Sequence, residues 1–231
     1  MKIGGLQPVT LLDYPQKVAA IIFTSGCNMR CPFCHNPSLV WPQLIKRNKS
    51  ISTKTAFAFL KKRKKYLDGV VITGGEPTLQ PDLAAFCRQL KALGYLVKLD
   101  TNGLRPRVLE KLIKEKLVDY LAMDIKGPLK DYPKFCGLEI APGAIVKSIE
   151  LIKTSGLPYE FRSTVIKGWH RPKDLAQMTR LIAGAKKYFL QNFSRLDRLV
   201  DDDFSGQPLT NQELERFKKL AARRVAFCGL R

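Results

Sequence analysis

The sequence has no long apolar run, few acidic residues and no second cluster of cysteines, and each shortage narrows the class of protein that we expect. No stretch approaches the roughly 18 apolar residues of a membrane-spanning helix, and the opening MKIGGLQPVTLLDYPQK lacks an apolar core followed by a small-residue cleavage site. We therefore expect neither membrane insertion nor export, and predict a cytoplasmic protein. Thiols stay reduced there, so six cysteines indicate metal binding or catalysis rather than a disulfide framework.

The shortage of acidic residues leaves the chain strongly basic. Lys and Arg number 40 against 20 Asp and Glu, which gives a formal charge of +20. This charge indicates an anionic partner, an anionic substrate or nucleic acid, and does not choose among them. The densest run, KKRKK at 61–65, is interpreted as the solvated end of a helix, where cations complement the helix dipole.

No linker rich in Gly, Pro or Ser and no fixed-period repeat divides the chain. We therefore predict one domain, 1–231, with a core at about 18–193 and then an irregular loop, a C-terminal helix and a short strand over 194–231. In the core, β-branched apolar runs alternate with segments of helical period, as in parallel strands joined by helices. The predicted fold is an α/β, open partial (β/α)6 TIM-like barrel, with strands at 18–24, 69–73, 95–101, 118–124, 159–166 and 187–193.

In such folds the chemistry lies at the C-terminal ends of the strands. Polar or glycine-rich groups follow five consecutive predicted strands, a coincidence that packing alone would not produce. They are the cysteine loop at 24–36, GGEP at 74–77, Asp100 with TNG at 101–103, Asp124 and Lys126 in DIKGP, and Arg162 on the fifth strand. We therefore expect one site at this edge of the sheet.

Cys27, Cys31 and Cys34 are three closely spaced thiols without a second pair. A structural zinc site needs four ligands, and His35, directly after Cys34, is badly placed to be the fourth. Three thiolates on one loop suit a cubane iron–sulfur cluster whose fourth iron is left open, which we favour over zinc. The remaining cysteines, Cys87, Cys136 and Cys228, are interpreted as buried thiols.

The loop Cys-x-x-x-Cys-x-x-Cys after a first strand, with GGEP after the second, resembles the radical S-adenosylmethionine (SAM) superfamily. More narrowly, KIGGLQ, LDYP, CPFCHNP, GGEPTLQ, LVKLDTNG, DYLAMDIKGP and YEFRSTV together resemble the activating proteins of anaerobic ribonucleoside-triphosphate reductase, a branch of the glycyl-radical-enzyme activases. This similarity runs from residue 2 to about residue 193.

The resemblance implies a [4Fe-4S] cluster, held by the three loop cysteines, that cleaves SAM reductively to a 5'-deoxyadenosyl radical. It places Phe33 near the adenine and has Gly74, Gly75 and Glu76 receive the methionyl ammonium. Lys126 would reach the methionyl carboxylate, and Asp100 and Asn102 belong to the same cofactor site.

The resemblance further implies a monovalent cation at Asp100, Thr101 and Asp124, because converging carboxylates repel unless a cation joins them. The alternative is that these carboxylates cap helices or pair with lysines. Arg162 is expected either to contact the cofactor or to pair with Glu160 or Asp124. Some activases have a cofactor-contacting histidine where this chain has Phe193, with Gln191 or Asn192 as substitutes.

The expected function is generation of a glycyl radical on a partner enzyme, anaerobic ribonucleoside-triphosphate reductase, with reduced flavodoxin or ferredoxin as electron donor. One alternative is a radical SAM enzyme that modifies a small molecule or RNA, for example a deazaguanine-forming type. We do not expect a nucleic-acid partner, because no RNA-binding module is recognisable. The other alternative is a non-catalytic iron–sulfur or zinc protein that only binds a partner.

Overall fold

The protein is described from a computed structural model that covers residues 1–195 and 198–231. The irregular loop that is predicted to begin at 194 thus lies partly outside the described residues, at 196 and 197. The described chain forms two compact units. The first comprises residues 1–28, 36–101 and 105–121, and the second comprises 29–35, 102–104 and 122–231.

The first unit is built on four strands that pair in chain order. The second, third and fourth strands are parallel and almost wholly buried, as expected for apolar runs such as GVVIT. The strands are β1 (Ile3–Thr10), β2 (Ala19–Thr24), β3 (Gly69–Gly74) and β4 (Leu96–Thr101), and the helices are α1 (Pro37–Val40), α2 (Pro42–Arg47), α3 (Thr53–Arg63), α4 (Leu83–Ala92) and α5 (Pro106–Lys114).

β5 (Tyr120–Asp124) begins in the first unit and ends in the second, which continues with parallel strands that again pair in chain order. Its helices begin at prolines or at a capping box, which satisfy or remove amides that have no partner in a first helical turn. The strands are β6 (Tyr159–Val165), β7 (Tyr188–Asn192) and β8 (Cys228–Leu230), and the helices are α6 (Tyr132–Cys136), α7 (Pro142–Thr154), α8 (Pro172–Leu181) and α9 (Asn211–Ala221).

The prediction of an α/β fold with an open parallel sheet is confirmed, and each of the six predicted strands is present within two residues of its predicted bounds. β1 was not predicted, because its two glycines and one proline disrupt the strand pattern, and it pairs antiparallel to β2. Among the described residues, no helix is long and apolar enough to cross a membrane.

Candidate active-site residues

In the first unit, backbone hydrogen bonds tie the loop after β2 to the loop after β3. The amide of Gly75 donates to the Thr24 carbonyl, and the amide of Glu76 donates to the Gly26 carbonyl, each at 2.8 Å. A Cβ atom on Gly75 would lie 2.2 Å from the Gly26 oxygen, and Gly74 has φ +109°. Both glycines of GGEP are therefore required by close backbone approach and positive φ.

Glu76 is fixed and 1% exposed. Its Oε1 accepts hydrogen bonds from the Thr78 amide at 3.1 Å, from the Thr78 hydroxyl and from the Thr101 hydroxyl at 2.8 Å. A buried carboxylate needs such donors, because burial without them is costly. The side chain of Glu76 is thus pre-oriented at the end of β3 by a residue of β4.

Asp100 at the end of β4 pairs with a lysine on its own strand. The Lys98 ammonium lies 2.5 Å from Asp100 Oδ1, and the two residues are two positions apart on the same face. Lys98 is 1% exposed, and its Nζ lies 5.9 Å from the centre of the Tyr120 ring. This corresponds to the alternative in which the strand-end carboxylate pairs with a lysine.

In the second unit, residues 30–34 of the cysteine loop are held by backbone contacts on two sides. The Arg30 amide donates to the Cys136 carbonyl at 2.7 Å, at the end of α6. The carbonyls of Pro32 and Cys34 accept from residues 201 and 200, at 3.1 and 3.0 Å. We call residues 199–204 the latch segment, since it fixes the loop that carries Cys31 and Cys34.

Phe33 lies in an aromatic cluster rather than on an open surface. It is 4% exposed, and its ring centre lies 6.5 Å from that of Trp169 and 6.0 Å from that of Phe204. Phe193 contacts Phe204 and stacks on His35, whose Nε2 lies 2.8 Å from the Ser194 carbonyl. Phe193 therefore supports His35.

Of the two substitutes suggested for the histidine, Gln191 and Asn192, the second is engaged with the backbone. Its amide group both donates to and accepts from Leu209, at 2.8 and 2.9 Å. It therefore anchors the end of the loop that contains the latch segment.

Asp124 at the end of β5 pairs with two cations of the second unit. Lys126 Nζ lies 2.9 Å from one carboxylate oxygen, and Arg162 Nε lies 3.0 Å from the other. Burial alone would raise the pKa of Asp124, but the charges of Lys126 and Arg162 lower it below its usual range. The pKa of Lys126 is raised despite its burial, mainly by Asp124 and also by nearby Cys31.

The backbone of Lys126 is held by two residues that sequence reasoning did not select. His170 Nε2 donates to the Lys126 carbonyl at 3.0 Å, while Nδ1 accepts from the Ile166 amide at 3.2 Å. The Tyr132 hydroxyl accepts from the Lys126 amide at 3.2 Å. Burial lowers the pKa of His170 to about 4, so the ring is neutral.

None of the six cysteines forms a disulfide bond. Cys27 lies in the first unit, and Cys31 and Cys34 lie in the second. The other three are buried as predicted, and burial raises the pKa of Cys87 to about 12 and that of Cys228 to about 11. They are poorly suited to act as thiolate ligands.

The residues fit a cluster and SAM on chemical grounds. Three loop cysteines match the thiolate ligands of an iron–sulfur cluster with one open iron, the Lys126 ammonium places positive charge near Cys31, and Gly74 and Gly75 carry no side chain after β3. No group of three His, Cys, Asp or Glu side chains within 1–195 and 198–231 is placed for a single metal ion. The ligand set therefore stays a prediction from the loop and its donors.

The chain is similar to known proteins in sequence and in structure. Residues 21–182 match a protein-family model that is described as "Radical SAM superfamily". A protein of Methanocaldococcus jannaschii, provisionally named a glycyl-radical enzyme activating enzyme, is 34% identical over 96% of this chain and 92% of its own length. The pyruvate formate-lyase-activating enzyme of Streptococcus mutans is 31% identical over 82% of this chain and 74% of its own length.

Solved structures share the fold at low identity. One is SuiB of Streptococcus suis bound to its precursor peptide SuiA, with a TM-score of 0.70 at 16% identity. The alignment covers 90% of this chain and 48% of the SuiB chain. TYW1 with a lysine–pyruvate adduct has a TM-score of 0.65 at 17% identity, over 91% of this chain and 74% of its own. From the match over most of its length and from these relatives, the chain belongs to the radical SAM superfamily, whose enzymes use a [4Fe-4S] cluster and SAM.

Proposed function

We propose that the protein generates a glycyl radical on a partner enzyme, and that this partner is anaerobic ribonucleoside-triphosphate reductase. The observation that carries the proposal is the similarity along 96% of the chain to a protein named as a glycyl-radical enzyme activating enzyme. The resemblance of the strand-end segments to activators of the reductase supports the choice of partner. Reduced flavodoxin or ferredoxin is the proposed electron donor.

When bound, the cluster and SAM supply the one-electron chemistry that yields a 5'-deoxyadenosyl radical able to take hydrogen from a glycine. The proposed ligands are Cys27, Cys31 and Cys34. The latch segment and α6 fix the backbone around Cys31 and Cys34. The chain thus provides a rigid loop for the cluster, and rigidity keeps reacting groups aligned.

The proposed roles in positioning SAM come from the resemblance, and the structure supports them by holding these side chains in place. Glu76, held by Thr78 and Thr101, would accept the methionyl ammonium beside the backbone of Gly74 and Gly75. Lys126, held through its backbone by His170, would carry the positive charge toward the methionyl carboxylate. Phe33, Asn102 and Arg162 remain proposed cofactor contacts.

The first test is anaerobic reconstitution with iron and sulfide, reduction with dithionite and chromatography of 5'-deoxyadenosine. We expect release of the nucleoside by the wild type and none by Cys31→Ala. Cys87→Ala is the matched control, because it removes a buried thiol outside the loop. Release that survives in Cys31→Ala would contradict the proposed ligand set.

The second test identifies the partner. The reductase and pyruvate formate-lyase from the same organism are incubated separately with reduced activase and SAM, and electron paramagnetic resonance records the glycyl radical. A signal only with the reductase supports the proposal. A signal only with the lyase transfers the activity to that partner, a second candidate favoured by the 31% identical relative. No signal with either enzyme, despite nucleoside release, favours a small-molecule or RNA substrate.

A further inference from the structure

A lysine buried in the middle of a strand is the least expected charge of the first unit. Lys98 lies on β4 between two apolar residues, Val97 and Leu99, and its side chain is only 1% exposed. Its ammonium contacts Asp100 at 2.5 Å and lies over the Tyr120 ring. Burying an ammonium group is costly unless it is paired, so this pair is a specific arrangement.

The strand-end carboxylates of each unit, considered separately, already have side-chain cations. Asp100 has Lys98 in the first unit, and Asp124 has Lys126 and Arg162 in the second. Repulsion between carboxylates is the physical reason for an added cation, and these ammonium and guanidinium groups remove it. The residues therefore do not fit the monovalent cation that the resemblance implies.

Asp100 is also adjacent to the group that orients Glu76. Thr101 follows it on β4, and the Thr101 hydroxyl donates to Glu76 Oε1 at 2.8 Å. Holding the Asp100 side chain thus holds the strand end from which Thr101 reaches Glu76. Removal of the charge on Lys98 would disturb both carboxylates.

We propose that Lys98 is a positioning residue whose ammonium takes the place of a monovalent cation at Asp100, so that the enzyme needs no added Na⁺ or K⁺. The catalytic part of this proposal rests on the proposed function, because it assigns Asp100 and Glu76 to the cofactor site. The structural part does not, since it concerns only the charge balance of Asp100.

The test compares the wild type with Lys98→Met, which keeps a long side chain and removes the charge. Lys62→Met, at an exposed lysine of α3, is the control. Each protein is measured in NaCl, in KCl and in choline chloride at equal ionic strength. The readouts are the thermal unfolding midpoint, ²³Na relaxation on titration, and release of 5'-deoxyadenosine by the reconstituted enzyme.

We expect the wild type and Lys62→Met to show the same midpoint and rate in all three salts. Lys98→Met should lose activity about tenfold in choline, equivalent to about 1.4 kcal/mol, and regain most of it with Na⁺ or K⁺. Its midpoint should rise with the small cations, and it alone should broaden the ²³Na signal. Rescue by a small cation distinguishes a charge-balancing role from a purely structural one.

A wild type that binds Na⁺ and loses activity in choline would overturn the proposal, as would a Lys98→Met protein that is insensitive to the salt. If Lys98→Met does not fold, the wild-type salt comparison decides the question. If no protein releases the nucleoside in any salt, the proposed function fails, whereas the midpoint and ²³Na readouts still test Lys98.

Discussion

At the scale of single residues, Gly75 is a position with almost no room for a side chain. An added Cβ would meet the backbone oxygen of Gly26 at 2.2 Å, and backbone cannot rotate away as a side chain can. We expect Gly75→Ala to lower the free energy of unfolding by roughly 1–3 kcal/mol and to weaken SAM binding.

Urea unfolding and calorimetric titration with SAM measure the two effects of Gly75→Ala. Gly143→Ala is the control, because a Cβ there has nothing within 4 Å and alanine favours its helix. Equal stability of the two variants would mean that the loops after β2 and β3 adapt to the methyl group.

His170 makes stability depend on pH. Burial lowers its pKa from 6.5 to about 4 in the folded protein. Between those values the unfolded chain binds a proton that the folded chain does not, so stability falls as pH decreases. We expect the free energy of unfolding to fall by roughly 3 kcal/mol between these two pH values, since each unit of pKa difference corresponds to about 1.4 kcal/mol.

Urea unfolding between pH 7 and pH 4, on wild type and His170→Gln, measures this dependence. In His170→Gln the free energy of unfolding is expected to change less steeply with pH than in the wild type, whatever the stability of the variant at neutral pH. Parallel slopes would assign the pH dependence to other groups.

The residue types at the site could be read from the sequence, but several of their ion-pair and hydrogen-bond partners could not. GGEP and the cysteine loop were recognisable because their spacing is local. Lys98 was passed over because a lysine within YLVKLDT looks like a solvent-facing residue, and only the position of Asp100 on the same face reveals the pair. His170 cannot be found in the same way, because its contact with Lys126 spans 44 positions in the chain and no local pattern marks it.

At the scale of elements, the latch segment has one aromatic side chain, Phe204, that packs against the residues around the cysteine loop. Phe204 is 3% exposed and contacts Phe33, Trp169 and Phe193. We expect Phe204→Ala to cost roughly 3–5 kcal/mol and to release the segment from the cysteine loop. The amides of Val200 and Asp201, which donate to that loop, should then exchange hydrogen faster.

Hydrogen exchange resolved by peptide measures this release. Phe227→Ala is the control, because Phe227 is 52% exposed and lies just before β8. If Val200 and Asp201 stay protected in Phe204→Ala, the backbone bonds alone hold the segment.

The predicted strands were correct because buried parallel strands form continuous apolar runs that need no partner to be recognised. The latch segment could not be predicted, since the stretch that contains it, SRLDRLVDDDFSGQPL, has neither helical nor strand period. Its place is set by carbonyls of Pro32 and Cys34, far away in the sequence. Contacts of this kind depend on tertiary structure rather than on local propensity.

At the scale of the whole molecule, the formal charge of +20 is the dominant property. If this charge guides the encounter with an acidic partner surface, salt should screen the encounter and leave internal chemistry unchanged. We expect the rate of glycyl radical formation to fall roughly tenfold between about 50 and 300 mM NaCl. SAM cleavage without the partner should change little over the same range.

Parallel assays of the radical signal and of 5'-deoxyadenosine release measure this difference. The partner-free reaction is the internal control. If both rates respond equally to salt, the positive charge acts on the cofactor or on the fold rather than on association.

Trp169 contacts both Phe33, on the cysteine loop, and Phe204, on the latch segment. Its indole ring therefore reports optically on whether the two stay together, since indole emission shifts to longer wavelength when the ring meets water. Trp41 is the other tryptophan. When it is replaced by phenylalanine, the intrinsic fluorescence of the protein reports, without an attached dye, whether the latch segment stays packed against the cysteine loop.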